Sequence, residues 1–222
     1  MDAHISESAI YGIQLYVRTN EENRIESNVE INNKELHATD GSPYRGGPYD
    51  LHMGTVDLEY RCATCGNKKK NCPGHSGHME LRYPAPNPLF IKDIRRWLKV
   101  ICFNCGALCV KKIPVGIHRR LILQQTVSMN NNDKDKICPE CKHKNPHIIP
   151  NPADQMGFLA VYYDGKDIDK KRSKPERIHV HDIGMYFDRI TDETLEKMGK
   201  NQHPRNFIIN VLYISPNTVR PE

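Results

Sequence analysis

The sequence predicts an irregular α+β fold of short strands and amphipathic helices, held by two structural metal sites. Three observations predict it. Three Cys-x-x-Cys pairs lie between residues 62 and 141, the apolar content is low, and the hydrophobic period switches between strand and helix spacing along the chain. Apolar residues make up 38% and charged residues 27% of the 222, against ~45–50% and ~25% in ordinary domains, so the core is lean. Gly (14) and Pro (15) occur at ordinary levels, which excludes collagen, linker and mucin-like classes. Apolar-rich uncharged stretches such as Met156 to Tyr163 and Phe207 to Ile214 fall far short of the ~20 residues that span a bilayer. Met1 to Glu7 has neither a basic flank nor an apolar block, so it reads as no secretory signal, and a non-secreted chain is expected. The net charge of +5 permits a polyanionic partner without requiring one.

The elements follow in order. Ile10 to Val17 alternates as a strand, and Arg24 to Ile31 as another after a polar turn. Residues 38–50 are turn chemistry throughout, and Met53 to Asp57 leads into the first cysteines. Asn87 and Pro88 are the N-cap and first position of the clearest helix, Leu89 to Ile101. Phe90, Ile94, Trp97, Leu98 and Ile101 share its apolar face; Lys92, Asp93, Arg96 and Lys99 take the other. Packing on a core explains that stripe better than a cofactor site. A second helix is expected over 116–127, and residues 130–136 are too polar to bury and read as a loop. Phe158 to Tyr163 is a strand, followed by an Asp164-Gly165 turn. Ile183, Tyr186, Phe187 and Ile190 mark a helix, and Thr191 caps a short one opening on Asp192 and Glu193. Ile208 to Ile214 is a final strand and Pro216 to Glu222 is extended. No capping element follows it, so the chain reads as a section of something longer.

Without a secretory signal, paired cysteines are metal ligands or redox centres rather than disulfides. Cys62-x2-Cys65-x6-Cys72-x2-His75 offers three thiolates and an imidazole, the donor set of a closed, structural, tetrahedral zinc site. Gly66 lets the backbone turn after the pair, and Pro73-Gly74 makes a tight turn before His75. His78 is a rival fourth ligand; the x2 spacing, which mirrors the first pair, favours His75. Cys102-x2-Cys105 and Cys138-x2-Cys141 form a split four-cysteine zinc ribbon. Cys109 is left over and reads as a small buried hydrophobe beside the metal. Iron–sulfur ligation uses tighter cysteine runs, and a thioredoxin-like role needs one pair, not three. His78-Met79-Glu80 followed by Cys102-x-x-Cys105 has the outline of a zinc deaminase. Ile101, however, stands where that signature carries proline, and Cys62, Cys65, Cys72, Cys138 and Cys141 would have no role.

Gly46-Gly47-x2-Asp50-x2-Met53-Gly54-Thr55-x-Asp57 leads into Cys-x2-Cys-x6-Cys-Pro-Gly-His-x-Gly-His over 62–78. This run resembles the start of the largest subunit of multisubunit DNA-directed RNA polymerases of archaeal and eukaryotic type. The resemblance continues through Pro88 to Ile94, Val100 to Gly106, and Pro216-Asn-Thr-Val-Arg-Pro221. Ile94 to Cys102 is most similar to the versions of large cytoplasmic DNA viruses.

The resemblance implies the N-terminal part of the clamp, a mobile arm that closes over DNA and the RNA–DNA hybrid. It implies two structural Zn2+ ions, on Cys62, Cys65, Cys72 and His75 and on Cys102, Cys105, Cys138 and Cys141, the last pair being more compact than in some relatives. The expected division is an N-terminal clamp segment, 1–83, and a clamp-head-like segment, 84–222, with a basic loop at 164–177. The family's Mg2+-holding Asn-Ala-Asp-Phe-Asp-Gly-Asp loop does not occur in this sequence. Asp164 to Asp169 reads as a hairpin turn beside basic residues, so the segment is expected to be non-catalytic by itself. Implied partners are the remainder of the largest subunit, the second-largest and smaller subunits, DNA template and RNA transcript, and no membrane. The implied compartment is host cytoplasm or virion for a viral chain and nucleus for a cellular eukaryotic one. Lys68, Lys69 and Lys70, and Lys170, Lys171 and Arg172 within the run from Lys166 to Arg177, are candidate phosphate contacts, with a solvated face as the plain alternative. Arg95, Arg96 and Lys99 are expected to face a protein partner. The rival class is a free-standing zinc-ribbon nucleic-acid or transcription-factor adaptor.

Overall fold

The computed structural model describes residues 12–13, 15–130, 136–164, 171–172 and 174–220. In chain order these form α1 (Asn20–Ile25), β1 (Gly77–Pro86), α2 (Ile91–Val100), α3 (Arg119–Met129), β2 (Lys136–Ile137) and β3 (Lys144–Asn145). Then come β4 (His147–Asn151), β5 (Asp154–Val161), β6 (Tyr163–Asp164), β7 (Lys171–Arg172) and β8 (Glu176–Ile178), followed by α4 (Val180–Asp188), α5 (Asp192–Lys197) and β9 (Ile208–Ile214). The chain is therefore mixed α and β with short elements, as its composition implied.

Strand propensity failed at the N-terminal end. The described residues of 10–17 form no strand, and Leu15 is 92% exposed. Alternation stabilises a strand only where a sheet edge accepts its hydrogen bonds, and no described strand pairs here. The expected strand from Arg24 is also corrected: Arg24 and Ile25 end α1. The cause is a capping box. Thr19 Oγ1 accepts from the Glu22 amide at 3.0 Å, and Glu22 Oε2 accepts from the Thr19 amide at 2.7 Å. Of the expected strand only Glu30 keeps a β-bridge, to His78.

The helix from Leu89 starts as a 3-10 turn over Pro88–Phe90, whose Asn87 cap accepts from the Leu89 amide at 3.1 Å, and continues as α2. Ile94, Trp97, Leu98, Val100 and Ile101 are buried in one continuous core with Phe158, Ile183, Phe187, Met198 and Ile208. Phe90 stacks on Phe207 at 4.6 Å between ring centres. The second expected helix is α3, and α4, α5 and β9 fall where periodicity and the Thr191 cap set them. After Pro216 the chain makes a 3-10 turn over Asn217–Val219 instead of staying extended.

β9 pairs antiparallel with β1, from Gly77 opposite Ile214 to Pro86 opposite Ile208, with a register break between Glu80 and Ala85. β1 went unread because Pro84, Pro86 and charged side chains mask its alternation. Helix α1 covers the other side of β9: Asn20 Oδ1 accepts from the amides of Asn210 at 2.8 Å and Val211 at 3.0 Å. One side chain thus supplies hydrogen bonds that a third strand would otherwise make. A β4–β5–β8 sheet packs against α2, and small two-stranded pairs β2–β3 and β6–β7 project from it.

Ahead of β1, the buried apolar side chains among the described residues are only Ile31, Met53, Cys62 and Cys72. Polar contacts organise this part. The Asp50 carboxylate, 2% exposed, accepts from the Gly46 amide at 2.5 Å, the His52 amide at 2.8 Å and the His52 ring at 2.7 Å. Burial pushes its pKa up, but the Gly46 and His52 amides and the His52 ring outweigh burial and hold it below the ordinary carboxyl value. A depressed carboxyl pKa contributes stability above the unfolded pKa, near ~4, and that contribution is lost as pH falls through the folded value. Asp50→Asn is expected to cost about 1–3 kcal/mol in urea melts at pH 7. The gap to wild type should shrink as pH drops below ~4.

Candidate metal centres

Each Cys-x-x-Cys pair builds the same hairpin. The amide of the residue after the second cysteine donates to the carbonyl of the first: Gly66 to Cys62 at 2.9 Å, Gly106 to Cys102 at 3.0 Å, Lys142 to Cys138 at 3.1 Å. A second bond closes each turn, from the Cys62 amide to Asn67, Cys102 to Ala107 and Cys138 to His143, at 2.8–2.9 Å. The geometry demands a left-handed residue at the position after the pair, with φ of 70° at Gly66, 76° at Gly106 and 60° at Lys142. Glycine takes this conformation without penalty; Lys142 does not.

Two donor groups result. One is Cys62, Cys65, Cys72 and His75; the other is Cys102, Cys105, Cys138 and Cys141; within each, all ligand atoms lie within 4.8 Å of one another. Sulfur separations are 3.7 Å for Cys65–Cys72, 3.5 Å for Cys102–Cys141 and 3.6 Å for Cys105–Cys138. Four ligands at ~2.3 Å around a tetrahedral ion sit about 3.8 Å apart, so the groups have the dimensions of a metal shell. His75 Nε2 is buried with no hydrogen-bond partner, which suits a nitrogen whose lone pair binds a metal ion. The Cys65 thiol is drawn down to about 6, first by the adjacent His75 ring and then by the Asn67 amide. Cys141 is also drawn down to about 6, by the His143 amide and the Asn104 side chain, while burial pushes Cys105 up to about 12. Each group therefore holds one thiol drawn down and one, Cys72 or Cys105, pushed up by burial. Both donor sets fit a metal ion.

His78 belongs to neither group. It lies on β1, where its Nδ1 meets Ser27 Oγ at 2.7 Å. Glu80 binds Arg24 at 2.6 Å, so the deaminase outline is not assembled around Cys102 and Cys105. Cys109 is 8% exposed beside Cys102 and Cys138, and its sulfur accepts from Asn145 Nδ2 at 3.3 Å. Asn145, which spacing did not reveal, also accepts from the Phe103 amide at 2.8 Å and so ties the two halves of the ribbon.

Each group is anchored from outside. Gly54 packs against Cys72, and a Cβ on Gly74 would stand 2.3 Å from Thr218 Oγ1 and 2.7 Å from Pro216. A Cβ on Gly106 would stand 2.1 Å from the Arg189 carbonyl, while the Arg189 guanidinium donates to the carbonyls of Phe103 and Asn104. Phe103 stacks on Tyr186 at 4.3 Å.

The basic residues divide. Lys68, Lys69 and Lys70 are exposed on the excursion between Cys65 and Cys72, with no carboxylate paired to them among the described residues. Lys166 and Lys170 lie outside the described residues, and the Lys171–Arg172 backbone pairs with Tyr163–Asp164. Arg177 pairs with Asp154 at 3.0 Å and Arg96 with Asp93 at 2.8 Å.

Paired-cysteine hairpins set into a mixed α/β chain define a module with two donor groups able to hold a metal ion, and comparison with known proteins supplies the family. A family profile described as RNA polymerase Rpb1, domain 1, matches residues 7–222. The chain belongs to that family: it is an N-terminal segment of the largest subunit of RNA polymerase. It is 35% identical over 183 residues to a DNA-directed RNA polymerase RPB1 homolog of African swine fever virus (isolate Tick/South Africa/Pretoriuskop Pr4/1996), covering 81% of this chain and 12% of that one. It is 28% identical over 231 residues to DNA-directed RNA polymerase subunit Rpo1N of Thermoplasma acidophilum, covering 96% of this chain and 24% of that one. The chain thus spans about an eighth of the viral relatives' length and a quarter of the archaeal ones'. No helix among the described residues is long and apolar enough to cross a membrane.

The strained Lys142 gives a direct check on the hairpin geometry. Lys142→Val, β-branched in a left-handed position, is expected to lower stability by about 1–2 kcal/mol. Lys142→Gly should match or exceed wild type, and thermal melts of the three proteins read the order.

Proposed function

We propose that this chain is the clamp end of a DNA-directed RNA polymerase largest subunit, helping to hold template DNA and the RNA–DNA hybrid while nucleotidyl transfer occurs elsewhere in the enzyme. The family match over 7–222 carries this reading and favours it over a free-standing zinc-ribbon adaptor. Its partners would be the remainder of its subunit, the second-largest and smaller subunits, and nucleic acid. Its compartment would be that of the polymerase, host cytoplasm or virion for a viral enzyme. The segment itself would be non-catalytic, with Mg2+ bound only in the complete enzyme.

In this reading both donor groups hold structural Zn2+. Thiolate and imidazole donors at tetrahedral separations suit zinc over hard cations, which take oxygen. Bound zinc supplies cross-linking and no redox chemistry. This chain's own residues do the rest. The left-handed turns at Gly66, Gly106 and Lys142 set the sulfur positions, and Arg189 fixes the second hairpin to the α4 end. The division at 83/84 into clamp and clamp-head-like segments is part of the proposal; the β1–β9 pair would join them.

A structural zinc site contributes on the order of 10 kcal/mol of apparent binding free energy, comparable with the stability of a whole domain. Strong chelation or Cys65→Ser is therefore expected to unfold residues 60–83, read as lost amide protection there and a lower melting temperature. An unchanged melt after verified zinc removal would count against the zinc assignment.

Lys68, Lys69 and Lys70, carried outward by the Cys65–Cys72 excursion, are proposed to contact phosphates without reading sequence. Lys170, Lys171 and Arg172, in a second basic run, are proposed as further phosphate contacts on the ground of charge. Replacing Lys68, Lys69 and Lys70 with Glu is expected to shorten elongation-complex lifetimes and flatten their dependence on salt. Equal lifetimes across a salt titration would assign the lysines to a solvated face.

A further inference from the structure

A second site lies apart from both donor groups' ligands. Between the loops around Tyr49 and Tyr60 and the 3-10 turn at Asn217–Val219 is a cavity of about 290 Å3. His37, Tyr49, Thr55 and Tyr60 line it together with Asn217 and Arg220. His37 and Tyr49 stack at 5.9 Å, so two of its walls are flat rings.

Two polar groups in this wall are incompletely matched. The half-buried Arg220 guanidinium donates only to neutral acceptors: the Ser215 carbonyl at 2.9 and 2.7 Å, the Pro48 carbonyl at 2.5 Å and the Met53 sulfur at 3.2 Å. No carboxylate among the described residues pairs with it. Asp50, the buried carboxylate of the adjoining loop, is taken by Gly46 and His52. Asp57 stands exposed at the rim, where its Oδ1 accepts from the Glu59 amide. Burial lowers the Arg220 pKa, and Tyr49 alone opposes that shift. Asn217 is 3% exposed, and its Nδ2 donates to the Asp50 carbonyl at 3.2 Å and the Gly54 carbonyl at 3.1 Å. Both partners only accept, so the amide orientation is fixed, and Oδ1 is left without a hydrogen-bond partner.

A half-buried cation with no carboxylate partner among the described residues and a buried amide oxygen lacking a donor ask for one ligand that supplies both a negative charge and a hydrogen-bond donor. A peptide with an acidic side chain does so, its carboxylate meeting Arg220 and a main-chain N–H meeting Asn217. A phosphodiester supplies the charge but no hydrogen-bond donor. We propose that this cavity is a docking site for a carboxylate-bearing peptide segment of the polymerase outside these 222 residues. The inference rests on the polymerase reading above, and the relatives' length, of which this chain matches 12%, places most of the subunit's sequence elsewhere.

The test uses the full-length subunit in the assembled polymerase, with Tyr60 replaced by the photo-crosslinking residue p-benzoylphenylalanine. The expected product is a crosslink to one peptide of the polymerase that contains Asp or Glu. Changing that acid to Lys should cut the crosslink yield roughly tenfold or more, and Arg220→Glu combined with it should restore the yield. The acid-to-Lys variant leaves this chain untouched, so misfolding around Arg220 cannot mimic the result. Crosslinking to nucleic acid alone, no crosslink in assembled enzyme, or no effect of the acid-to-Lys change would overturn the proposal while leaving the polymerase reading intact. Failure of the unmodified chain to assemble into polymerase would overturn both.

Discussion

Convergence of sulfur and imidazole donors is the constraint on which this molecule depends. Thiols held 3.5–3.7 Å apart cannot all ionise without a cation between them, because like charges at that distance repel strongly in a partly dry site. Without a cation the hairpins must keep protons, lengthen their separations or open. The part ahead of β1 has little else to fall back on, with Ile31 and Met53 as its buried non-cysteine hydrophobes among the described residues. The later part differs, since Trp97, Phe158 and Phe187 give it a conventional core and its donor group only fastens a projecting ribbon. Metal loss should therefore be felt unequally by the two.

What could be read in advance follows from where the physics is local. Cysteine spacing encodes hairpin geometry within five or six residues, so both donor groups and the glycine at 66 were legible. The α2 stripe was legible too, because Ile94, Trp97 and Leu98 are buried by one helix face. Thr191 announced its helix by the same cap chemistry that Thr19 uses. At Thr19 the same signal stands in the sequence, with Glu22 three residues on where a capping box needs it, but the strand-like period from Arg24 hides it.

Long-range pairings were illegible for a physical reason. Whether Ile10 to Val17 or Gly77 to Pro86 becomes a strand depends on which segment finds a partner, and β1 finds β9 more than a hundred residues later. Pro84 and Pro86 argue against a strand locally, yet they lie at or beyond the register break, where missing amides cost little. Asn20, Asn145 and Arg189 act through single side chains that reach distant backbone, and no periodicity encodes such reach. The x2 spacing favours His75 over the rival His78, and strand pairing, which turns the His78 ring toward Ser27, supplies the long-range part of that separation.

The closing contact of the N-terminal half comes from far along the chain. Asn217 reaches the Asp50 carbonyl across 167 positions and the Gly54 carbonyl across 163, and Pro216 and Thr218 press on Gly74 beside the first donor group. During synthesis the early cysteine hairpins emerge well before the residues that lid them. A growing chain must hold that loop half-finished while the whole α2–α5 body forms, and such late, high-contact-order closure is slow. Until those residues are made, the first donor group's flank has nothing to cover it, and that is the stage at which folding assistance and metal supply would matter most.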